Sequence, residues 1–117
     1  MVIGFRTENL IRKRYEMNKQ SIIEISEFYG FDAQSRQCIE EMAELTVALN
    51  KYYRVVNEMN YVYEHEKCIS SIIEELADVE IMINQIKYLL NIYEDDIETI
   101  INRKIQRQLE RIKDGLE

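Results

Sequence analysis

The sequence predicts an all-α protein, and three observations carry that prediction. Its 117 residues contain no proline and only three glycines, Gly4, Gly30 and Gly115. These two residue types punctuate irregular and β-rich chains, so their scarcity leaves long stretches free to be helical. Hydrophobic residues make up 46% of the chain, yet 32% is charged and the mean hydropathy is −0.37, so the apolar residues are sorted by period and not in blocks. From Ile72 to Leu90 they recur at intervals of three and four, as one face of a helix requires. A chain of this length makes one domain. The pattern fits a four-helix-type bundle over residues 30–114 with a short N-terminal helical extension over 1–29.

Within the extension, Thr7 is placed to cap a short helix with Leu10, Ile11 and Tyr15 on one side and Arg6, Arg12, Lys13 and Arg14 as a solvated basic face. Ser21 and Glu24 match a capping box that opens a second segment, Ile22 to Tyr29. Gly30 has the character of a helix-ending glycine, and Asp32 then caps a long helix from about Ala33 to Asn60. There Ile39, Met42, Ala43, Thr46, Leu49 and Tyr53 share one face, with Glu40, Glu41 and Glu44 on a neighbouring arc and the small Ala48 a turn further on. His65, between Glu64 and Glu66, reads as a surface loop residue. A helix from Ser70 or Ser71 to Asn91 follows, with Ile72, Val79, Met82, Ile83, Ile86, Leu89 and Leu90 as its apolar face. Asp95 or Asp96 caps the last helix, to about Lys113. Its Ile97, Ile100, Ile101, Ile105, Leu109 and Ile112 oppose a basic stripe of Lys104, Arg107 and Arg111. No internal repeat, low-complexity segment or interdomain linker stands out.

Two acidic stretches interrupt the apolar runs. Glu75 and Asp78 fall on the arc of Val79, Met82, Ile86 and Leu89, where a core side chain belongs, and Glu41 and Glu44 form the same i, i+3 pair on the preceding helix. Burying a carboxylate is costly unless it is paired or binds a cation. No lysine or arginine lies within a turn of either pair on that face. Two such helices packed face to face bring four oxygen donors to one point, a set that suits Mg²⁺ or Mn²⁺.

Composition narrows the function classes. A net charge of −7 and a pI near 4.8 disfavour a general nucleic-acid binder. Cys38 and Cys68 are too few and too isolated for a disulfide framework or a zinc site, and read as reduced packing residues. The first residues lack the apolar core and cleavage site of a signal peptide, and no apolar run reaches membrane-spanning length, so a cytoplasmic protein is expected.

The arrangement Glu40-Glu41-x-x-Glu44 followed by Glu75-x-x-Asp78 resembles the signature of the MazG-like, all-α nucleoside triphosphate pyrophosphohydrolases. The likeness extends from Gly30–Gln34, which leads into the first acidic helix, to the basic last helix at Ile101–Arg111, while the interval between Glu44 and Glu75 is somewhat longer than that family's usual one. The resemblance implies hydrolysis of a (deoxy)nucleoside triphosphate to the monophosphate and pyrophosphate, with Mg²⁺ as cofactor and Mn²⁺ as a substitute. It implies Glu41, Glu44, Glu75 and Asp78 as metal ligands, and Glu40 with Glu41 as the groups that orient or deprotonate water. Lys104 and Arg107 match phosphate-holding positions more loosely, and the family's assembly implies a homodimer or homotetramer. Two other readings compete. A di-iron bundle needs Glu-x-x-His pairs that a single His65 cannot supply. A metal-free helical interaction module would make the acids solvated faces and the isoleucine stripes a dimer seam.

Overall fold

The computed structural model describes the backbone of residues 2–57 and 61–115 and the side chains of residues 18–57 and 64–115. Among the described residues all regular structure is helical: α1 Val2–Val55, α2 Tyr61–Leu89 and α3 Glu94–Lys113. None of these helices is long and apolar enough to cross a membrane.

α1 is two rods joined at Gly30, whose φ of 83° and ψ of 170° break the helix in a region open essentially to glycine alone. Nothing lies within 4 Å of where a Cβ would stand, so the backbone torsion, and not crowding, requires glycine there. The break expected at Ser21–Glu24 is absent. The helix runs through it, and the buried Ser26 hydroxyl satisfies itself by donating to the Ile22 carbonyl at 2.7 Å. The expected Thr7 cap, the Leu10, Ile11 and Tyr15 face and the Arg6, Arg12, Lys13 and Arg14 cluster concern side chains outside the described residues.

α2 starts at Tyr61, well before Ser70. Glu64 in its first turn suits the positive end of the helix dipole. The Tyr52 hydroxyl lies 3.0 Å from His65 Nε2, with the rings 5.2 Å apart, which ties this first part of α2 to the end of α1. His65 is therefore a half-buried helical residue and not a loop residue.

The cross-helix pairs Tyr52–His65, Gln34–Gln85 and Glu27–Tyr88 step in opposite directions along the two chains, so α1 and α2 form an antiparallel hairpin. Cys38, Val55, Cys68, Val79 and Met82 are its buried apolar residues. Gln34 Nε2 donates to Gln85 Oε1 at 2.7 Å, and Gln85 is only 1% exposed. A slip of one turn would leave two buried amides unpaired, so this bond fixes the register of the hairpin.

One expectation is reversed on α1. The stripe of Ile39, Met42, Leu49 and Tyr53 faces outward, with Ile39 63% and Tyr53 72% exposed. The packed line is Gln34, Cys38, Glu41, Leu45, Ala48, Tyr52 and Val55. The helix presents two apolar stripes, and α2 takes the one that carries Glu41.

α3 begins at Glu94, behind an extended Tyr93 that makes no side-chain cap, so neither Asp95 nor Asp96 is the N-cap. Glu94, Asp95 and Asp96 instead fill its first turn, where the dipole favours them. Glu94 also pairs with Lys87 at 3.1 Å. Beyond that tie, among the described residues α3 packs on neither α1 nor α2, and none of its residues is buried. The radius of gyration is 18.6 Å, against about 13 Å for a compact domain of this length. The described residues show an all-helical chain of three helices, and a closed bundle of four rods is not seen among them.

Candidate metal centre

Midway along the hairpin, α1 presents Glu41 and α2 presents Glu75 to each other, one turn from Cys38 and Leu45 on one side and from Val79 on the other. One oxygen from each of Glu41, Glu75 and Asp78 lies within 4.8 Å of the others. Glu41 Oε1 accepts a 2.8 Å hydrogen bond from Gln37 Nε2 one turn earlier. Glu41 Oε2 and Glu75 Oε2 are both buried with no hydrogen-bond partner. Among the described residues no lysine or arginine pairs with the three acids; an ion pair between Lys87 and Glu94 lies farther along α2.

Glu44 is exposed beside them, and its carboxyl is pushed above the ordinary carboxylate value, first by the charge of Glu41, then by that of Glu75, with partial desolvation, hydrogen bonding to Glu41 and the charge of Glu40 adding to it. Glu40 points outward from the cluster and is exposed. The structure thus gathers Glu41, Glu75 and Asp78, sets Glu44 within their field and leaves Glu40 at the edge. Lys104 and Arg107 are exposed on α3 and are not brought to the cluster by their own chain.

Sequence reading missed Gln37, although its i, i+4 relation to Glu41 is visible in the sequence. It also missed a repeat. Ile39-Glu40-Glu41, Ala43, an acid at Glu44, Asn50 and Asn57 recur at a constant offset as Ile73-Glu74-Glu75, Ala77, Asp78, Asn84 and Asn91. Swaps such as Met42 for Leu76 and Leu45 for Val79 hide the likeness from a search for identity. Since the helices are antiparallel, a local two-fold axis relates these counterparts and passes between Glu41 and Glu75.

A groove of about 850 Å³ lies elsewhere, between the first rod of α1 and the outer side of α2, lined by Ile22, Ile25, Ala77, Ile81 and Tyr88 among others. It includes none of the clustered acids.

Fold and cluster together define an all-α hairpin protein with an acidic centre of oxygen donors only. The chain matches no family model, no curated protein and no solved structure.

Proposed function

We propose that the protein is a Mg²⁺-dependent nucleoside triphosphate pyrophosphohydrolase of the MazG-like all-α kind, converting a (deoxy)nucleoside triphosphate and water to the monophosphate and pyrophosphate. It acts in the cytoplasm as a homo-oligomer in which helices of more than one copy close the bundle. The observation that carries the reading is the pair of buried, unpartnered oxygens on Glu41 and Glu75 beside Asp78. Two carboxylates in one dry seam repel each other, and a cation is the partner that such a seam lacks. An all-oxygen donor set fits Mg²⁺ or Mn²⁺ better than zinc or iron.

Glu41, Glu44, Glu75 and Asp78 would hold the ion, which when bound supplies charge neutralisation at the polyphosphate and a more acidic water. Gln37 orients Glu41 by occupying one of its oxygens and leaving the other, which is buried, without a hydrogen-bond partner. Glu40, at the exposed edge, has the position to orient a water or accept its proton, and Glu44 holds a proton more readily than an ordinary glutamate. Lys104 and Arg107 stand on a helix that does not pack on its own hairpin, so their phosphate-holding role belongs to an assembly.

The exposed apolar stripes favour a second reading, a metal-free interaction module. The two separate in one assay. Purified protein is screened for pyrophosphate release from the (deoxy)nucleoside triphosphates with Mg²⁺, alongside Glu75→Gln. Release by the wild type and a loss of 100-fold or more in the variant is the expected result; equal rates in both would remove these residues from the chemistry.

A further inference from the structure

The groove between the first rod of α1 and α2 stands back to back with the acidic centre. Ala77, Glu80, Ile81, Asn84 and Tyr88 form its α2 wall, and they lie about 140–240° round that helix from Glu75. The α1 wall is Asn18, Ser21, Ile22 and Ile25, one stripe at intervals of three and four, with Lys19 beside it. Its apolar floor is not filled by the chain, since Ile25 is 40% and Ile81 43% exposed. A volume of about 850 Å³ falls within the roughly 300–1,000 Å³ of a small-molecule site. Polar groups are left over on both walls. Lys87 is neutralised by Glu94, and the Tyr88 hydroxyl is occupied by Glu27. Lys19 on one wall and Glu80 on the other pair neither with each other nor with any described residue. Asn18 and Asn84 carry carboxamides with no side-chain hydrogen bond among the described residues, although both stand inside helices, where asparagine is a poor former.

We infer that this groove binds a short peptide with free termini and apolar side chains, its carboxylate on Lys19 and its ammonium on Glu80. Charge complementarity selects the class. One unpaired cation and one unpaired anion on opposite walls call for a ligand with both signs at its two ends. Between those ends, a carboxamide both donates and accepts hydrogen bonds, which is what the N–H and C=O groups of an extended peptide require. Apolar side chains then cover the isoleucine floor. Other ligand classes fit less well. A nucleotide or other anion brings like charge to Glu80, and a plain hydrocarbon buries Lys19, Glu80 and both carboxamides without partners. The groove includes none of the clustered acids, so the inference rests neither on the hydrolase reading nor on assembly.

Titration calorimetry of the full chain in EDTA tests it, with the tripeptides Leu-Ala-Leu, Phe-Ala-Phe and Val-Ala-Val as probes, each free, N-acetylated and C-amidated. At least one free tripeptide is expected to bind one per chain, and each capped form at least 10-fold more weakly. In Lys19→Gln the free and amidated forms should bind alike, and in Glu80→Gln the free and acetylated forms, because each variant removes the group that reads that end. Ala77→Phe fills the floor and should abolish binding, while Lys51→Glu, away from the groove, should leave it unchanged. These are exposed positions, so helical circular dichroism should persist; where Ala77→Phe loses it, the two glutamine variants decide. Absence of binding by every free tripeptide up to millimolar concentration overturns the inference. So does binding that survives Ala77→Phe in a folded chain, or that is indifferent to both caps, the mark of nonspecific contact with exposed apolar surface. Pyrophosphate release with Mg²⁺ is measured separately on the same variants, so failure of this site and failure of the hydrolase reading show apart.

Discussion

Replacing Glu75 by glutamine should make the ion-free protein more stable while abolishing its response to a divalent ion. In the wild type, Glu75 Oε2 and Glu41 Oε2 are both buried without a partner, on carboxylates that each bring an oxygen within 4.8 Å of the other. A buried polar group left unsatisfied costs about 1–3 kcal/mol, and more when charged, so removing one of the two charges should return an amount of that order. For a domain of this size each kcal/mol moves the melting temperature by about 4 °C, which predicts a rise of roughly 4–12 °C in EDTA. Adding Mn²⁺ at a hundred times its dissociation constant should stabilise the wild type by about 2.7 kcal/mol through mass action, or roughly 10 °C by the same conversion. Glu75→Gln should respond by no more than a fifth of that. Thermal melts followed by circular dichroism, in EDTA and in a Mn²⁺ series, read both effects. A variant that melts below the wild type in EDTA yet gains the same increment from Mn²⁺ would refute the claim that the seam is built around a cation.

Two further outcomes follow from the same geometry. Since the folded-state pKa of Glu44 is raised, the native chain binds this proton more readily than the unfolded one, and its stability in EDTA should fall as the pH climbs from the ordinary carboxylate value through the raised one; Glu44→Gln should flatten that fall in urea titrations, and an unchanged profile would contradict it. Gln85→Leu strands the buried Gln34 amide and should cost about 1–3 kcal/mol, whereas Gln34→Leu with Gln85→Leu should come close to the wild type, a non-additivity that a double-mutant cycle in urea detects.

Much of this was legible in the sequence. The near absence of helix breakers gave an all-helical chain, and the phase of Glu75 with Val79 and Met82 matches its place against α1, while Asp78 stands less covered beside it. The seam on α1 was harder. Its two apolar stripes, one through Cys38, Leu45 and Val55 and the other through Met42, Leu49 and Tyr53, are equally hydrophobic, and periodicity alone cannot say which one meets α2. The repeat would have decided it, because Glu41 takes the place in α1 that Glu75 takes in α2. Helix starts were misplaced where tertiary ties outweigh local signals: Tyr52 holds His65 in a helix that the polar Glu64-His65-Glu66 run does not advertise. The detachment of α3 from the hairpin could not be read at all, since its isoleucine stripe looks the same whether it meets its own chain or another.

That stripe has a cost for the solitary chain. Ile100, Ile105, Leu109 and Ile112, 44% to 63% exposed, are carried on an arm that follows the positive-φ turn at Asn91, where φ is 54°, and none of the described residues covers them. In the homo-oligomer proposed above, a freshly made copy would stay sticky until it meets another, so the abundance of the chain in its cell, as much as its sequence, would set how long that state persists.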